Sequence, residues 1–315
     1  MIEVEGLTKY FGRIAAVKNI SFHIAKGEIV GFLGPNGSGK TTTMRMLTCF
    51  FPPTEGSAKV AGYDVVKNPL NVKRRIGYFL EKAPLYPDMS VKAFLNFVAN
   101  VKGVRGKDKK KTLDNLMEEC GIGHVADRLI GNISKGYRQR VCLAQALIHD
   151  PEVLILDEPT AGLDPEQVVE VRNLIKDLGG QRTILLSSHI LPEISMTCQR
   201  VIIINRGEIV AMDSPETLTN MIQNSCQMMV QIEGPSVSVT EELKRIPDVV
   251  RIQELERISE GVSSYLVESK KGSDVGKFIP SCVLKNNWHL LEMKQIEMTL
   301  EEIFLKLVAK KENRN

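Results

Sequence analysis

The chain has 315 residues, 43% hydrophobic and 25% charged, with 41 Lys and Arg against 38 Asp and Glu. That length and composition exclude a low-complexity chain and allow one large domain or two smaller ones with a buried core. A net charge of +3 is far from the basic footprint of a protein that holds nucleic acid by its phosphates, so no nucleic-acid partner is expected.

Met1 leads straight into the alternating Ile2-Glu3-Val4-Glu5, without a basic and then apolar leader, so no signal peptide is expected. No apolar run approaches the ~18–20 residues that cross a bilayer as a helix, so any membrane-spanning part belongs to another chain. The six cysteines (Cys49, Cys120, Cys142, Cys198, Cys226 and Cys282) form no C-x-x-C pair. They read as buried thiols in a reducing compartment.

In chain order, Ile20 to Ile24 alternates like a strand, and Glu28 to Leu33 is a short apolar strand. It runs into the glycine-rich Gly34-Pro35-Asn36-Gly37-Ser38-Gly39-Lys40-Thr41, which Thr41 to Cys49 follows as a helix. This stretch matches G-x-x-x-x-G-K-[ST] with the strand before and the helix after that the motif requires. Its glycines let successive N–H groups face one anion, and the helix N-terminus adds its dipole. Lys40 is expected on the β- and γ-phosphates, Thr41 on Mg²⁺ and Thr42 on the α-phosphate.

Between Pro87 and Ala126 the strand signal disappears; Val91 to Val101 and Thr112 to Cys120 read as helices of an inserted subdomain. The basic run Lys107 to Lys111 between them reads as a solvated turn or helix start. Val153 to Leu156 is a buried strand ending in Asp157-Glu158, and Thr183 to Leu186 is another continuous apolar run. Such runs suit central parallel strands, whose ends deliver ligands to the sheet edge. Asp157 is then a metal ligand and Glu158 a general base that polarises water. Alone, Asp-Glu after a strand is a commonplace exposed turn; beside a phosphate loop it gains this meaning.

After about Thr219 the order becomes strand (Gln227 to Ile232), helix (Val239 to Ile246), two strands (Val249 to Leu255, Val262 to Val267), helix (Val275 to Leu284), strand (His289 to Met293) and a final helix (Leu300 to Val308). β-α-β-β-α-β is a ferredoxin-like pattern, so 220–315 is expected to be a small α+β accessory domain after a nucleotide-binding domain over 1–219, whose helical subdomain spans about 87–150. Trp288 reads as core packing.

Further motifs carry a resemblance. Ile133-Ser134-Lys135-Gly136-Tyr137-Arg138-Gln139-Arg140 resembles the Leu-Ser-Gly-Gly-Gln signature of the ATP-binding subunits of ABC transporters. Ala161-Gly162-Leu163-Asp164 is similar to their D-loop, and Ser187-Ser188-His189 to their switch histidine. Phe11 precedes Gly12 where that family places an aromatic against adenine. The resemblance runs from Ile2 to Ser214. It implies a P-loop NTPase core with an antiparallel β subdomain, ATP and Mg²⁺ as ligands, and a head-to-tail pair of subunits. In such a pair Ser134, Lys135, Gly136 and Tyr137 of one subunit close over the nucleotide of the other, with Asp164 in the D-loop between them. Glu158, His189 and Lys40 are the implied catalytic set.

Two departures stand out: Lys135 and Tyr137 replace a glycine and a glutamine of the signature, and Glu81 stands where the family's Q-loop glutamine falls. Glutamate keeps an oxygen for Mg²⁺ but loses the amide donors. The wording Ser-Lys-Gly-Tyr-Arg-Gln-Arg, Tyr86 to Ser90 and the ending Thr299 to Leu305 are similar to bacterial exporter ATPases of the gliding-motility and multidrug-efflux branch. These work at the cytoplasmic face of the cell membrane on a separately encoded permease. The alternative is a soluble ABC ATPase of translation or DNA repair; a single phosphate loop and no sustained heptads disfavour it.

Overall fold

The computed structural model describes residues 1–296 apart from 82, 83, 105, 107, 108, 223, 224, 260, 271, 272 and 274. The expected helix at Leu300 to Val308 and the Thr299 to Leu305 motif lie outside the described residues. The chain divides into two compact units, Met1–Pro215 and Glu216–Asn315. The division falls inside a helix, a few residues before the expected boundary after Thr219.

The first unit opens with a long hairpin, β1 (Ile2–Phe11) and β2 (Ile14–Ile24), followed by β3 (Ile29–Leu33) and α1 (Lys40–Leu47). β4 (Glu55–Val60) and β5 (Tyr63–Asp64) return to β1, giving an antiparallel sheet in the order β2-β1-β4-β5. α2 (Pro69–Arg75) and β6 (Ile76–Phe79) lead into the helical region of α3 (Val91–Val101), α4 (Lys109–Glu119) and α5 (Lys135–Leu147). α3 starts where Ser90 Oγ accepts from the Ala93 N–H at 3.2 Å, and it buries Val91, Phe94, Leu95 and Ala99 on one face.

β7 (Val153–Asp157), α6 (Pro165–Leu178), β8 (Thr183–Ser188), α7 (Leu191–Thr197), β9 (Arg200–Asn205) and β10 (Glu208–Asp213) complete the unit, and α8 (Pro215–Ile222) crosses into the next. The second sheet has the order β10-β9-β3-β8-β7-β6, parallel throughout except for β10. Every residue of β3, β7 and β8 is buried, which is why these runs are continuously apolar rather than alternating. One core joins the two sheets through Ile2, Leu7, Ile20, Phe32, Met44, Leu47, Ile155 and Leu185.

The second unit contains β11 (Ser225–Glu233), α9 (Ser236–Lys244), β12 (Val249–Ser259), β13 (Val262–Lys270), α10 (Val275–Lys285) and β14 (His289–Ile296). All its strand pairs are antiparallel, in the order β12-β13-β11-β14. This is the ferredoxin-like α+β arrangement. Its own core gathers Val230, Ile232, Val239, Leu243, Tyr265, Val267 and Ile279, with Trp288 packed against it. β12 and β13 are longer than their apolar runs suggest, because β12 continues over mostly exposed residues to Ser259.

Candidate active site

The parallel strands β3, β7 and β8 end together, and at their C-terminal edge the unit buries Lys40, Asp157, Glu158, Ser187 and Ser188. β3 hands the chain to a loop that turns at Gly39, φ +108°, where a β-carbon would also lie 2.7 Å from the Ala16 carbonyl. At Gly34 a β-carbon would sit 2.2 Å from the Ile204 carbonyl oxygen, so only glycine fits against β9. The loop encloses the Lys40 ammonium, which donates to Gly34 O at 2.6 Å and Pro35 O at 3.2 Å.

Lys40 is 5% exposed and pairs with Glu158 Oε1 at 3.6 Å. Burial lowers its pKa, while the charges of Glu158 and Asp157 pull it back up. Glu158 Oε2 is in turn 2.9 Å from His189 Nδ1, so one carboxylate holds both the ammonium and the imidazole. Glu158 takes φ +52°, a left-handed conformation that costs a non-glycine residue about 1–2 kcal/mol. Its contacts to Lys40 and His189 and its N–H bond to Ser187 hold it in that conformation.

Asp157, the last residue of β7, faces the other way. Its Oδ1 accepts from Ser187 Oγ at 2.7 Å and from Thr41 Oγ1 at 3.2 Å. Burial raises the Asp157 carboxyl, and these two bonds oppose the rise. Ser187 also accepts the Glu158 N–H at 3.0 Å, so it ties both acids to the end of β8. Sequence reasoning placed Ser187 only as a neighbour of His189. The signal for its bond is that Asp157 and Ser187 are in register across β7 and β8, which no local pattern reveals.

A cavity of about 210 Å³ opens above this edge, lined by Ala16, Asn36, Gly37, Ser38, Gly39, Lys40, Thr41, Thr42, Glu81, Glu158, Ala161 and His189. Eleven of these lie in stretches singled out in the sequence, Ala161 at the start of the D-loop stretch; Ala16 does not. The Ser38 Oγ is buried and makes no hydrogen bond among the described residues, an orphan that a ligand oxygen would satisfy. The anion donors of the phosphate loop, with Thr41 in the lining and Asp157 bonded to it from just outside, supply the hard oxygens that fit a nucleoside triphosphate with Mg²⁺, which takes few protein ligands beside phosphates.

Phe11 does not line the cavity. It is half-exposed at the end of β1, edge-on to Phe51 at 5.5 Å, with Lys9 Nζ 5.6 Å from its ring centre. Ser134, Lys135, Gly136, Tyr137 and Asp164 also lie outside the lining. Ser134 caps α5, accepting from the Tyr137 N–H at 3.4 Å, and the Tyr137 hydroxyl is 3.0 Å from His124 Nε2. Asp164 caps α6 by accepting from the Gln167 N–H at 2.9 Å.

Residues 17–161 match the ABC transporter family. Over 311 residues the chain is 33% identical to the bacitracin transport ATP-binding protein BcrA of Bacillus licheniformis, covering 98% of this chain and 97% of BcrA. The chain belongs to the ABC transporter family. Within it, the chain is an ATP-binding subunit and an ABC-type ATPase. The ABC transporter ATP-binding protein NatA of Bacillus subtilis (strain 168) is 41% identical over 207 residues, 65% of this chain and 84% of NatA. The dimeric structure of MJ0796, a bacterial ABC transporter cassette, matches with a TM-score of 0.62 at 25% identity, covering 68% of this chain and 98% of that one. No helix among the described residues of this ABC subunit is long and apolar enough to cross a membrane.

Proposed function

We propose that this ABC ATPase hydrolyses MgATP as one half of a head-to-tail pair and powers export through a separately encoded membrane permease, at the cytoplasmic face of the cell membrane. The observation that carries the reading is the buried Glu158 carboxylate, held between Lys40 and His189 at the mouth of the phosphate loop. ATP lies with its phosphates along Gly34 to Thr42. Thr41 and Asp157, with Glu81 in the cavity lining, would hold Mg²⁺, which would supply charge neutralisation to the phosphates. Glu158 takes the proton of the attacking water as general base. Lys40 and His189 stabilise the charge that gathers on the γ-phosphate.

Phe11 offers its exposed ring to adenine. The capped N-terminus of α5 at Ser134 to Tyr137, which lies outside the chain's own cavity, is the surface presented to the second subunit's nucleotide, with Asp164 beside the shared interface. Export is supported by the resemblance to the efflux branch. The 220–315 region is an accessory domain.

Two measurements test this. ATP with Mg²⁺ should convert Glu158→Gln into a stable dimer by size-exclusion chromatography. Affinity purification from gently solubilised cells should recover a multi-helix membrane protein in roughly equal amount. Recovery of ribosomes or DNA in its place moves the function to the soluble ABC ATPases.

A further inference from the structure

Glu193 stands in the first turn of α7, outside the lining of the cavity. Its Oε2 accepts from Thr160 Oγ1 at 2.5 Å and from Ser188 Oγ at 3.2 Å. The Ser188 Oγ accepts in turn from the Ile190 N–H at 2.9 Å. Thr160 and Ser188 are 9% and 1% exposed, so water competes little for these bonds. Thr160 comes two residues after Glu158, and Ser188 one residue before His189. A single carboxylate oxygen therefore joins the two loops that carry the general base and the histidine it touches.

The strand ladder cannot do this, because the register of β7 and β8 ends at Asp157 and Ser187. Beyond that point Glu158 is left-handed, and Ser188, the last residue of β8, pairs with Leu33 of β3 and not with β7. Both hydroxyls donate their protons to this one oxygen. That leaves a Ser188 lone pair free for the Ile190 N–H, which fixes the backbone on both sides of His189.

We propose that Glu193 is a positioning residue for hydrolysis, holding the Glu158 loop and the His189 loop in one arrangement without touching the nucleotide. This rests on the hydrolytic reading of Glu158 and His189. If Glu193 merely completed the first turn of α7, its loss would lower the melting temperature and leave kcat where it was.

The test is steady-state phosphate release by the full chain with MgATP, reading kcat and KM separately alongside melting temperature. Glu193→Ala should lower kcat about tenfold or more while KM stays within about twofold. Glu193→Gln keeps an acceptor oxygen and should recover most of that loss. Thr160→Val should lower kcat less, and should add nothing in the Glu193→Ala background. An unchanged kcat in Glu193→Ala, or fully additive losses in the double variant, overturns the proposal. If Glu193→Ala does not fold, a Glu193→Gln variant no faster than Glu158→Gln, or a Thr160→Val variant at the wild-type rate, overturns it equally. Glu158→Gln separates the two levels. If it abolishes turnover while Glu193→Ala runs at the wild-type rate, only the positioning role falls; if it leaves turnover intact, the site reading falls and this proposal with it.

Discussion

Both units of this ABC subunit build a sheet and cover it with helices, yet only one of them gathers chemistry. In Met1–Pro215 the parallel strands β3, β7 and β8 all end at one edge, and Lys40, Asp157, Glu158, Ser187 and Ser188 are buried there. In the second unit the strands run antiparallel, so their ends alternate between two edges. Its buried polar side chains among the described residues are Ser263, Ser264 and Ser269, none of them ionised. A parallel sheet concentrates loop starts, and with them helix N-termini and strand-end acids, where a phosphate can meet several at once. The same concentration is costly without a ligand, because it desolvates charges that only partly satisfy one another.

The largest effect expected from breaking that contrast is chemical. Glu158→Gln should lower phosphate release by about 10²–10⁴-fold, the range of a lost general base, while ATP is still bound. Glu242→Gln, an acid of α9 in the second unit paired with Arg245, should leave the rate unchanged. A second-unit variant that slowed turnover as much as Glu158→Gln would erase the distinction between the units.

Ligand-linked stability sharpens it further. At a hundredfold excess over Kd, ATP stabilises the form that binds it by about 2.7 kcal/mol. Trp288 is the chain's only tryptophan and packs on the core of the second unit, so its fluorescence follows that unit alone. Melting followed by circular dichroism should rise with MgATP, and Lys40→Ala should abolish the rise. A Trp288 transition that moved upward by the same amount would mean that the two units unfold together.

Much of the first unit was legible because its determinants are local. The phosphate loop, the four apolar residues before Asp157 and the signature stretch at Ser134 each declare themselves within about ten residues. The second unit's element order was legible among the described residues, since its apolar runs are separated by polar and turn residues, although β12 extends well past its apolar run. What stayed hidden depends on partners far along the chain. Ser187 meets Asp157 through strand register, Glu193 meets Thr160 across two loops, and Arg200 reaches Glu28 over 172 positions at 2.7 Å. The left-handed backbone at Glu158 was equally invisible, because nothing in Asp157-Glu158-Pro159 asks for it. It exists because the surrounding contacts hold it there.

A smaller effect separates the units by pH. His149, just after α5 in the first unit, has Nε2 3.0 Å from the Ile76 carbonyl, to which it donates, and a buried Nδ1 without a hydrogen-bond partner among the described residues. Burial, with the charge of Lys102 adding to it and Asp150 opposing, pushes its pKa from the ordinary 6.5 down to about 4. Between those values the unfolded chain binds a proton that the native first unit does not. Stability therefore falls as pH falls through that window, by about 2 kcal/mol between pH 7 and pH 5. Urea unfolding followed by circular dichroism should show that slope. His149→Gln, which keeps a donor for the Ile76 carbonyl and cannot charge, should flatten it. The Trp288 transition should lack the His149-dependent part, since that imidazole belongs to the other unit. An undiminished slope in His149→Gln would remove this imidazole as its source, and the contrast between the units would then rest on the catalytic edge alone.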